Sequence, residues 1–309
     1  MKYVLQAKHL TKNHHNYNVI NNLNINIPQN SIYALIGRRN SGKSTLIKLI
    51  SGLLMPSSGA YTLFGTSHLD KKISKTRKKI GVMFESPSFY PNMSAEDNIK
   101  MQYLNYGIPD YSHIRDLLDF VGLDTYNKKV KEFSLEMRCR LGIALAISSH
   151  PDFLLLDEPF TGLDSQGIID IRELIFKLNK EKNITVLVSS NNLNEINKIA
   201  THYGFIDRGS VVKELSAEEL ENSCKKYIRI SVNNIFSLIK ILDQMHLSYK
   251  LINEDTADIY GKINITKLIT NLASEKCEVT HITEHDEELG NYFLKIIKGE
   301  TTTWPNCLH

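Results

Sequence analysis

The residues best suited to chemistry are the run Gly37-Arg38-Arg39-Asn40-Ser41-Gly42-Lys43-Ser44-Thr45 and, much later in the chain, the paired acids Asp157-Glu158. A glycine-bearing loop ending in Gly-Lys-Ser turns successive backbone N–H groups and a helix N-terminus toward one concavity. That arrangement favours an anion such as a triphosphate. Lys43 would reach the β- and γ-phosphates, and the Ser44 hydroxyl would ligate Mg²⁺. Asp157 suits an outer-shell Mg²⁺ role, and Glu158 suits a general base that polarises the attacking water.

These groups need a scaffold. The apolar run Ile32 to Ile36 reads as a buried strand ahead of the loop, and Leu46-Ile47-Lys48-Leu49-Ile50 as a helix with one apolar face behind it. Phe153-Leu154-Leu155-Leu156 reads as a buried parallel strand whose carboxylates emerge at its C-terminal end, where open α/β sheets bind ligands. Thr185 to Ser190 is a further strand ending at Asn191, and Thr161-Gly162-Leu163-Asp164 turns into a helix. Upstream, strands are expected at Tyr3–Ala7 and Leu23–Ile27, with a polar loop His14-His15-Asn16-Tyr17 between them. Ser58–Gly65 is a strand between glycine turns, and Lys79–Glu85 a strand ending on a carboxylate. From Ser86 to about Asn127 the chain reads as helical, broken at Pro87, Pro91 and Gly107-Ile108-Pro109, with Ser94 an N-cap ahead of Glu96 and Asp97. Phe133 opens another helix, to Ala146.

The pattern over 1–220 is therefore a mixed α/β domain with a parallel core and a helical part at about 86–150. Beyond it, 221–309 reads as βαββαβ with a last amphipathic helix at about Glu287 to Ile297, a small α+β appendage of ferredoxin-like type.

Composition narrows the function classes. A 309-residue chain with 42% apolar residues can bury two cores. The formal charge is only +3, and the one dense basic run, Lys71 to Lys79, reads as a solvated helix face, so no nucleic-acid partner is expected. Cys139, Cys224, Cys277 and Cys307 lack metal-ligand spacing and fit a reducing compartment. The N-terminal residues lack a signal-peptide apolar region. No stretch approaches the ~20 apolar residues needed to cross a bilayer, so any membrane role is expected to run through a partner chain.

Taken together, the motifs from Tyr3 to Leu220 resemble those of the ATP-binding subunits of ABC transporters. Phe133-Ser134-Leu135-Glu136-Met137 falls where the ABC signature belongs, and Thr161–Asp164 where the D-loop belongs. Val82-Met83-Phe84-Glu85-Ser86-Pro87-Ser88-Phe89-Tyr90-Pro91-Asn92, Ile199-Ala200-Thr201-His202 and Tyr292-Phe293-Leu294 are similar to the bacitracin-resistance and lantibiotic-immunity group, in which Glu often replaces the Q-loop glutamine, as at Glu85. The resemblance implies a P-loop NTPase fold of ABC type that uses ATP and Mg²⁺, with Gly37 through Thr45 on the phosphates. Ser44, Glu85 and Asp157 would lie on the metal side. His14, Tyr17 and Val19 would lie near the base, His14 or Tyr17 stacking on adenine. It further implies a second ATPase subunit, whose site Ser134, Leu135, Glu136, Met137 and Asp164 would complete. The two would act with integral membrane permease subunits, contacted near Glu85 to Asn98, at the cytoplasmic face of the membrane.

Several positions depart from that pattern. Asn40 replaces the middle glycine of the loop, and Asn tolerates positive φ better than most residues. Glu136 replaces the signature glycine; two unit charges ~4 Å apart at an effective dielectric of ~20 repel by about 4 kcal/mol, so an inward, ionised Glu136 would oppose closure on ATP. It must turn away, be protonated, or leave a weak half-site. Asn191 stands where the switch histidine belongs, which commonly costs ~10²-fold in rate. Glu85 adds a charge beside the metal. With Glu158, Asn191 and Glu85 as the catalytic set, the expectation is ATP binding with slow or partner-dependent hydrolysis, in an exporter that protects against an antimicrobial peptide or similar compound. The alternative is a degenerate regulatory or scaffold subunit.

Overall fold

A computed structural model describes residues 2–14, 17–124, 128–223, 226–261 and 263–286. The chain divides into two compact units, Met1–Ala217 and Glu218–His309.

The first unit begins with a long antiparallel hairpin, β1 (Tyr3–His14) and β2 (Tyr17–Pro28), in which His14 pairs with Tyr17. The strands thus reach past Ala7 and back from Leu23 to take in both ends of the expected loop, because buried Leu10 and Ile20 extend the inward-facing row; His15-Asn16 lie outside the described residues. Next come β3 (Ile32–Ile36), α1 (Lys43–Ser51), β4 (Ser58–Leu63), β5 (Thr66–Ser67), α2 (Ile73–Arg77) and β6 (Ile80–Met83). The basic run around α2 keeps only Ile73 buried.

The expectation of helix from Ser86 needs correction. After β6 the chain stays irregular to Met93, and α3 (Ala95–Tyr106) starts only where Ser94 accepts a bond from Asp97 N–H. Pro87 and Pro91 bar earlier helix by removing donors and restricting the residues before them. Glu85, expected to close a strand, lies beyond the end of β6 and is exposed. There follow α4 (Ile114–Phe120) and α5 (Leu135–Ile147), capped by Ser134 and so opening two residues later than Phe133. The unit continues through β7 (Phe153–Asp157), α6 (Ser165–Lys182), β8 (Thr185–Ser190), α7 (Leu193–Ile196), β9 (His202–Asp207) and β10 (Ser210–Ser216).

Six strands form one sheet in the order β10-β9-β3-β8-β7-β6, parallel except at the β10 edge. Every residue of β3, β7 and β8 is buried, as expected for central parallel strands covered on both faces. Their register matters for function. Ile36 lies opposite Ser190, and Asp157 opposite Ser189, so the Gly37–Thr45 loop, the acids and Asn191 leave the sheet at one edge. A second, antiparallel sheet, β2-β1-β4-β5, shares a core with α1.

In the second unit, α8 (Ala217–Ser223) leads into β11 (Lys226–Val232), α9 (Ile235–Gln244), β12 (Ser248–Leu251), β13 (Thr256–Tyr260), α10 (Ile265–Ser274) and β14 (Val279–Asp286). The strands pair antiparallel in the order β12-β13-β11-β14. Ile230, Val232, Ala257 and Ile259 from the sheet pack on Leu238, Ile241, Leu242, Leu268 and Leu272 from the two longer helices. The helix expected at Glu287 to Ile297 lies outside the described residues, as does Tyr292-Phe293-Leu294.

Candidate functional site

The loop between β3 and α1 is shaped by backbone constraints. Asn40 sits at φ 64 and Gly42 at φ 110, both in the left-handed region; Asn is among the few non-glycine residues that enter it readily. Gly42 also has no room for a side chain, since a Cβ would stand 2.8 Å from Ile20 Cδ1 and 2.9 Å from the Val19 carbonyl. A Cβ on Gly37 would meet the Ile206 carbonyl and Ser41 Oγ, each at 2.5 Å. Ser41 Oγ is buried and has no hydrogen-bond partner among the described residues. Arg38, Arg39 and Asn40 are exposed on the outer side of the loop, while Ser44 and Thr45 are half-buried in the first turn of α1.

Lys43 is 5% exposed and folds back over the loop. Its ammonium donates to the carbonyls of Gly37 at 2.7 Å and Arg38 at 3.0 Å, and meets Glu158 Oε1 at 3.1 Å. All three of its N–H groups are thereby used. Removing either charge would leave the other buried and uncompensated.

The acids are fixed just as closely. Asp157 is 2% exposed, and Ser189 Oγ donates to its Oδ1 at 2.7 Å. Glu158 has φ 51, a conformation that costs a non-glycine residue about 1–3 kcal/mol and persists only where its surroundings enforce it. The enforcement is visible: its N–H donates to Ser189 O at 3.2 Å and lies 2.9 Å from Ser189 Oγ. Its Oε2 accepts from the Asn191 N–H at 3.2 Å. Lys43, Asp157, Glu158 and the Asn191 backbone are therefore one connected group, while Gly37 N–H bonds Ser190 O at 3.2 Å.

The remaining residues lie further out. His14 and Tyr17 are cross-strand neighbours at the exposed tip of the hairpin, with Tyr17 61% exposed, and Val19 is half-buried. Glu85 and Glu158 line the same groove of about 450 Å³, together with Pro87, Phe89, Leu135, Cys139 and Pro159. Burial pushes the Cys139 thiol up to about 12, and its Sγ donates to Pro159 O.

On the α5 side, Ser134 caps the helix by accepting from Met137 N–H, and Asp164 caps α6 by accepting from Gly167 N–H. Leu135 is exposed, and Met137 is half-buried. Glu136 does not project freely. Its Oε1 accepts from Arg140 Nε at 2.7 Å, while the same guanidinium reaches Asp170 at 3.2 Å and Val121 O at 2.7 Å. The carboxylate is thus tied along its own helix, one turn on, to a guanidinium that it shares with Asp170.

Sequence reasoning missed Glu195. Its carboxylate accepts from Ser190 Oγ at 2.9 Å and from Asn192 Nδ2 at 3.2 Å, bracing the turn that carries Asn191. Burial raises its carboxyl above the usual range, and the Glu158 charge adds to that rise against the two donors. The only sequence signal is an acid in the first turn of a helix directly after a strand.

Comparison with known proteins agrees with this geometry. The sequence profile of the ABC transporter family matches residues 20–161. The bacitracin transport ATP-binding protein BcrA of Bacillus licheniformis is 34% identical over 306 residues, spanning 97% of this chain and 99% of the relative. The lantibiotic transport ATP-binding protein SrtF of Streptococcus pyogenes is 38% identical over 220 residues, 71% of this chain and 93% of the relative. A dimeric structure of MJ0796, a bacterial ABC transporter cassette, matches with a TM-score of 0.62 at 26% identity, covering 69% of this chain and 98% of that one. MJ0796 has also been solved in a post-hydrolysis state bound to ADP and Pi, with a TM-score of 0.62 at 25% identity. Relatives matched over nearly their whole length, on a fold that brings a phosphate loop and strand-end acids together, show that this chain belongs to the ATP-binding proteins of ABC transporters.

Proposed function

We propose that this chain is the ATPase subunit of an exporter that removes an antimicrobial peptide or related amphipathic compound from the membrane it would otherwise damage. The observation that carries the reading is the buried Lys43–Glu158 pair at the shared edge of β3, β7 and β8, a cation for phosphate beside a candidate base. The named cargo of the relatives, bacitracin and lantibiotics, supports the substrate class.

In this reading Gly37 through Thr45 hold the phosphates, and the unpartnered Ser41 hydroxyl inside the cradle supplies a donor that the fold leaves unused. The donor set also fits a divalent cation: Ser44 is a half-buried hydroxyl in the first turn of α1 and Asp157 a buried carboxylate at the end of β7, and these two would hold Mg²⁺, with Glu85 further out. When bound, Mg²⁺ neutralises charge on the phosphates. Glu158 takes the proton of the attacking water, held in place by Ser189 and by Asn191 N–H. Asn191 supplies an amide where a cationic donor would be stronger, which favours slow or partner-dependent turnover. Ser134 through Met137 and Asp164 of this chain complete the site of a second ATPase subunit, whose signature stretch in turn completes this one. His14, Tyr17 and Val19 lie toward the base, and the chain works at the cytoplasmic face on permease subunits through the segment near Glu85. No helix among the described residues is long and apolar enough to cross a membrane.

The test is ATP turnover by the transporter purified with its membrane subunits, for wild type and Glu158→Gln. Stimulated turnover by wild type, lost in the variant with nucleotide binding retained, supports the reading. No turnover in any assembly supports a regulatory scaffold instead, and rapid turnover by the isolated chain refutes the slow-hydrolysis part.

A further inference from the structure

We propose that Glu195 is a positioning residue of the nucleotide site, its carboxylate fixing the Ser190–Asn192 turn and, through that turn, the Glu158 carboxylate. The proposal rests on the reading that Glu158 serves ATP hydrolysis.

Three consecutive residues at the end of β8 each hold a different part of the site. Ser189 binds Glu158 N–H through its carbonyl and hydroxyl oxygens and donates to Asp157. Ser190 accepts from Gly37 N–H at the start of the phosphate loop. Asn191 N–H donates to Glu158 Oε2. The direction of that last N–H is set by the turn that follows, whose own bonds, Asn194 N–H to Asn192 Oδ1 at 3.1 Å and Glu195 N–H to Asn192 O at 3.4 Å, leave the strand end itself to be tied down. The turn runs into α7, only four residues long, too short to hold itself by helix propagation.

Glu195 supplies what is missing. Its two oxygens take separate partners, Ser190 Oγ on the strand end and Asn192 Nδ2 in the turn, so one carboxylate spans the segment from behind. The same Ser190 hydroxyl accepts from Asn192 N–H at 3.0 Å, closing the ring. The Glu195 backbone carbonyl is in turn tied to Arg172 of α6 at 3.5 Å. Burial and the neighbouring Glu158 charge both work against an ionised group here, so a carboxylate kept at this point needs a reason other than solvation. Its hydrogen bonds to the turn provide one.

Chemistry distinguishes the substitutions. Alanine removes both acceptors. Glutamine keeps one carbonyl for Asn192 and offers an amide to Ser190 Oγ, whose own proton can pass to the Asn192 carbonyl 3.0 Å away. Glu195→Ala should therefore loosen the turn, and Glu195→Gln should keep it.

The test uses the full-length chain, with amide hydrogen exchange on a peptide spanning 189–192 and, in the assembled transporter, ATP turnover against nucleotide affinity. Glu195→Ala is expected to speed exchange at least tenfold and to lower kcat about tenfold, with nucleotide affinity within threefold of wild type. Glu195→Gln should stay within threefold in all three. Ser190→Ala, a milder change, should reproduce the faster exchange, and it decides the matter if Glu195→Ala fails to fold. Unchanged exchange in Ser190→Ala or Glu195→Ala overturns the proposal, whether or not the protein hydrolyses ATP. A Glu195→Ala loss confined to affinity, or one that Glu195→Gln does not rescue, overturns it too. A wild type that exchanges as expected in this series but never turns over ATP refutes the ATPase reading and leaves the clamp standing.

Discussion

Replacing Arg140 by methionine tests how this chain accommodates a carboxylate in its signature stretch. The guanidinium is 14% exposed and serves three acceptors: Glu136 Oε1, Asp170 Oδ2 and Val121 O. Methionine keeps much of the stem and its packing while removing the charge and every donor. Val121 O would lose its side-chain donor, which costs about 1–2 kcal/mol at a partly buried site. Glu136 and Asp170 are each about a third exposed, so water screens them, and losing their shared cation costs about 0.5–1 kcal/mol apiece. The total is about 2–4 kcal/mol, or a Tm lowered by roughly 4–16 °C for a unit of this size. Glu136→Gln should behave differently, because Arg140 keeps Asp170 and Val121: a cost below about 1 kcal/mol. On the proposed two-subunit reading, a Glu136 freed from Arg140 can also swing toward the second subunit's phosphates, so ATP-driven pairing of the ATPase subunits should weaken in Arg140→Met. Adding Glu136→Gln to that variant should restore dimerisation without restoring Tm. Calorimetry and analytical ultracentrifugation with ATP, on the four proteins of the cycle, read both effects. Equal Tm losses in the two single variants, or dimerisation insensitive to Glu136 when Arg140 is absent, would refute the view that Arg140 holds this carboxylate aside.

Other outcomes are expected on the same grounds. Lys43→Met leaves Glu158 without its cation and the Gly37 and Arg38 carbonyls without their donor, so ATP affinity by equilibrium dialysis should fall at least tenfold, together with a loss of stability. Gly204→Ala would drive a methyl into the hydroxyl of Tyr33, whose buried phenol donates to Glu214 at 2.7 Å and is held well above its ordinary pKa by that burial and by Glu214. The cost should be about 2–4 kcal/mol in denaturant unfolding. With its thiol pushed up to about 12, Cys139 should carry about one thiolate in ten thousand molecules at pH 8. Its alkylation, followed by peptide mapping, should be at least ~10³-fold slower in the native chain than in the unfolded one and rise tenfold per pH unit; labelling at the unfolded rate would show that the site opens freely.

How far the sequence revealed this molecule depended on whether a signal was local. Strands β3, β7 and β8 are continuous apolar runs, and sheet burial on both faces is the simple reason for such runs, so they could be read directly. Strands β9 and β10 could not: His202-Tyr203-Gly204-Phe205-Ile206-Asp207 interrupts its apolar face with Gly204, which is there to admit Tyr33 from the next strand. Prolines 87 and 91 were visible as breaks but not as the end of all helix before Ser94. Weighing Glu136 by its charge alone overlooked Arg140 four residues on, although that spacing brings side chains together on any helix. Glu195 was invisible for the opposite reason, since its importance comes from where the end of β8 meets Glu158 and Gly37, and no spacing along the chain encodes that meeting.

That meeting also explains how segments far apart in sequence act together. The loop, the paired acids and the Asn191 turn all bond to the last residues of one central strand, Ser189 and Ser190, or follow directly from it. Lys43 and Glu158 then neutralise each other across the edge, which keeps two buried charges tolerable without a ligand. On the proposed reading, a triphosphate that took Lys43 would also take away the partner of Glu158, so binding of the anion and release of the base would be one event and not two. The carboxylate so released remains aimed by Ser189 and Asn191, and it can stay aimed only if the turn behind them is rigid. If Glu158 is the base, the rigidity of that turn, more than the presence of the acid, would separate a site that binds nucleotide from one that can use it.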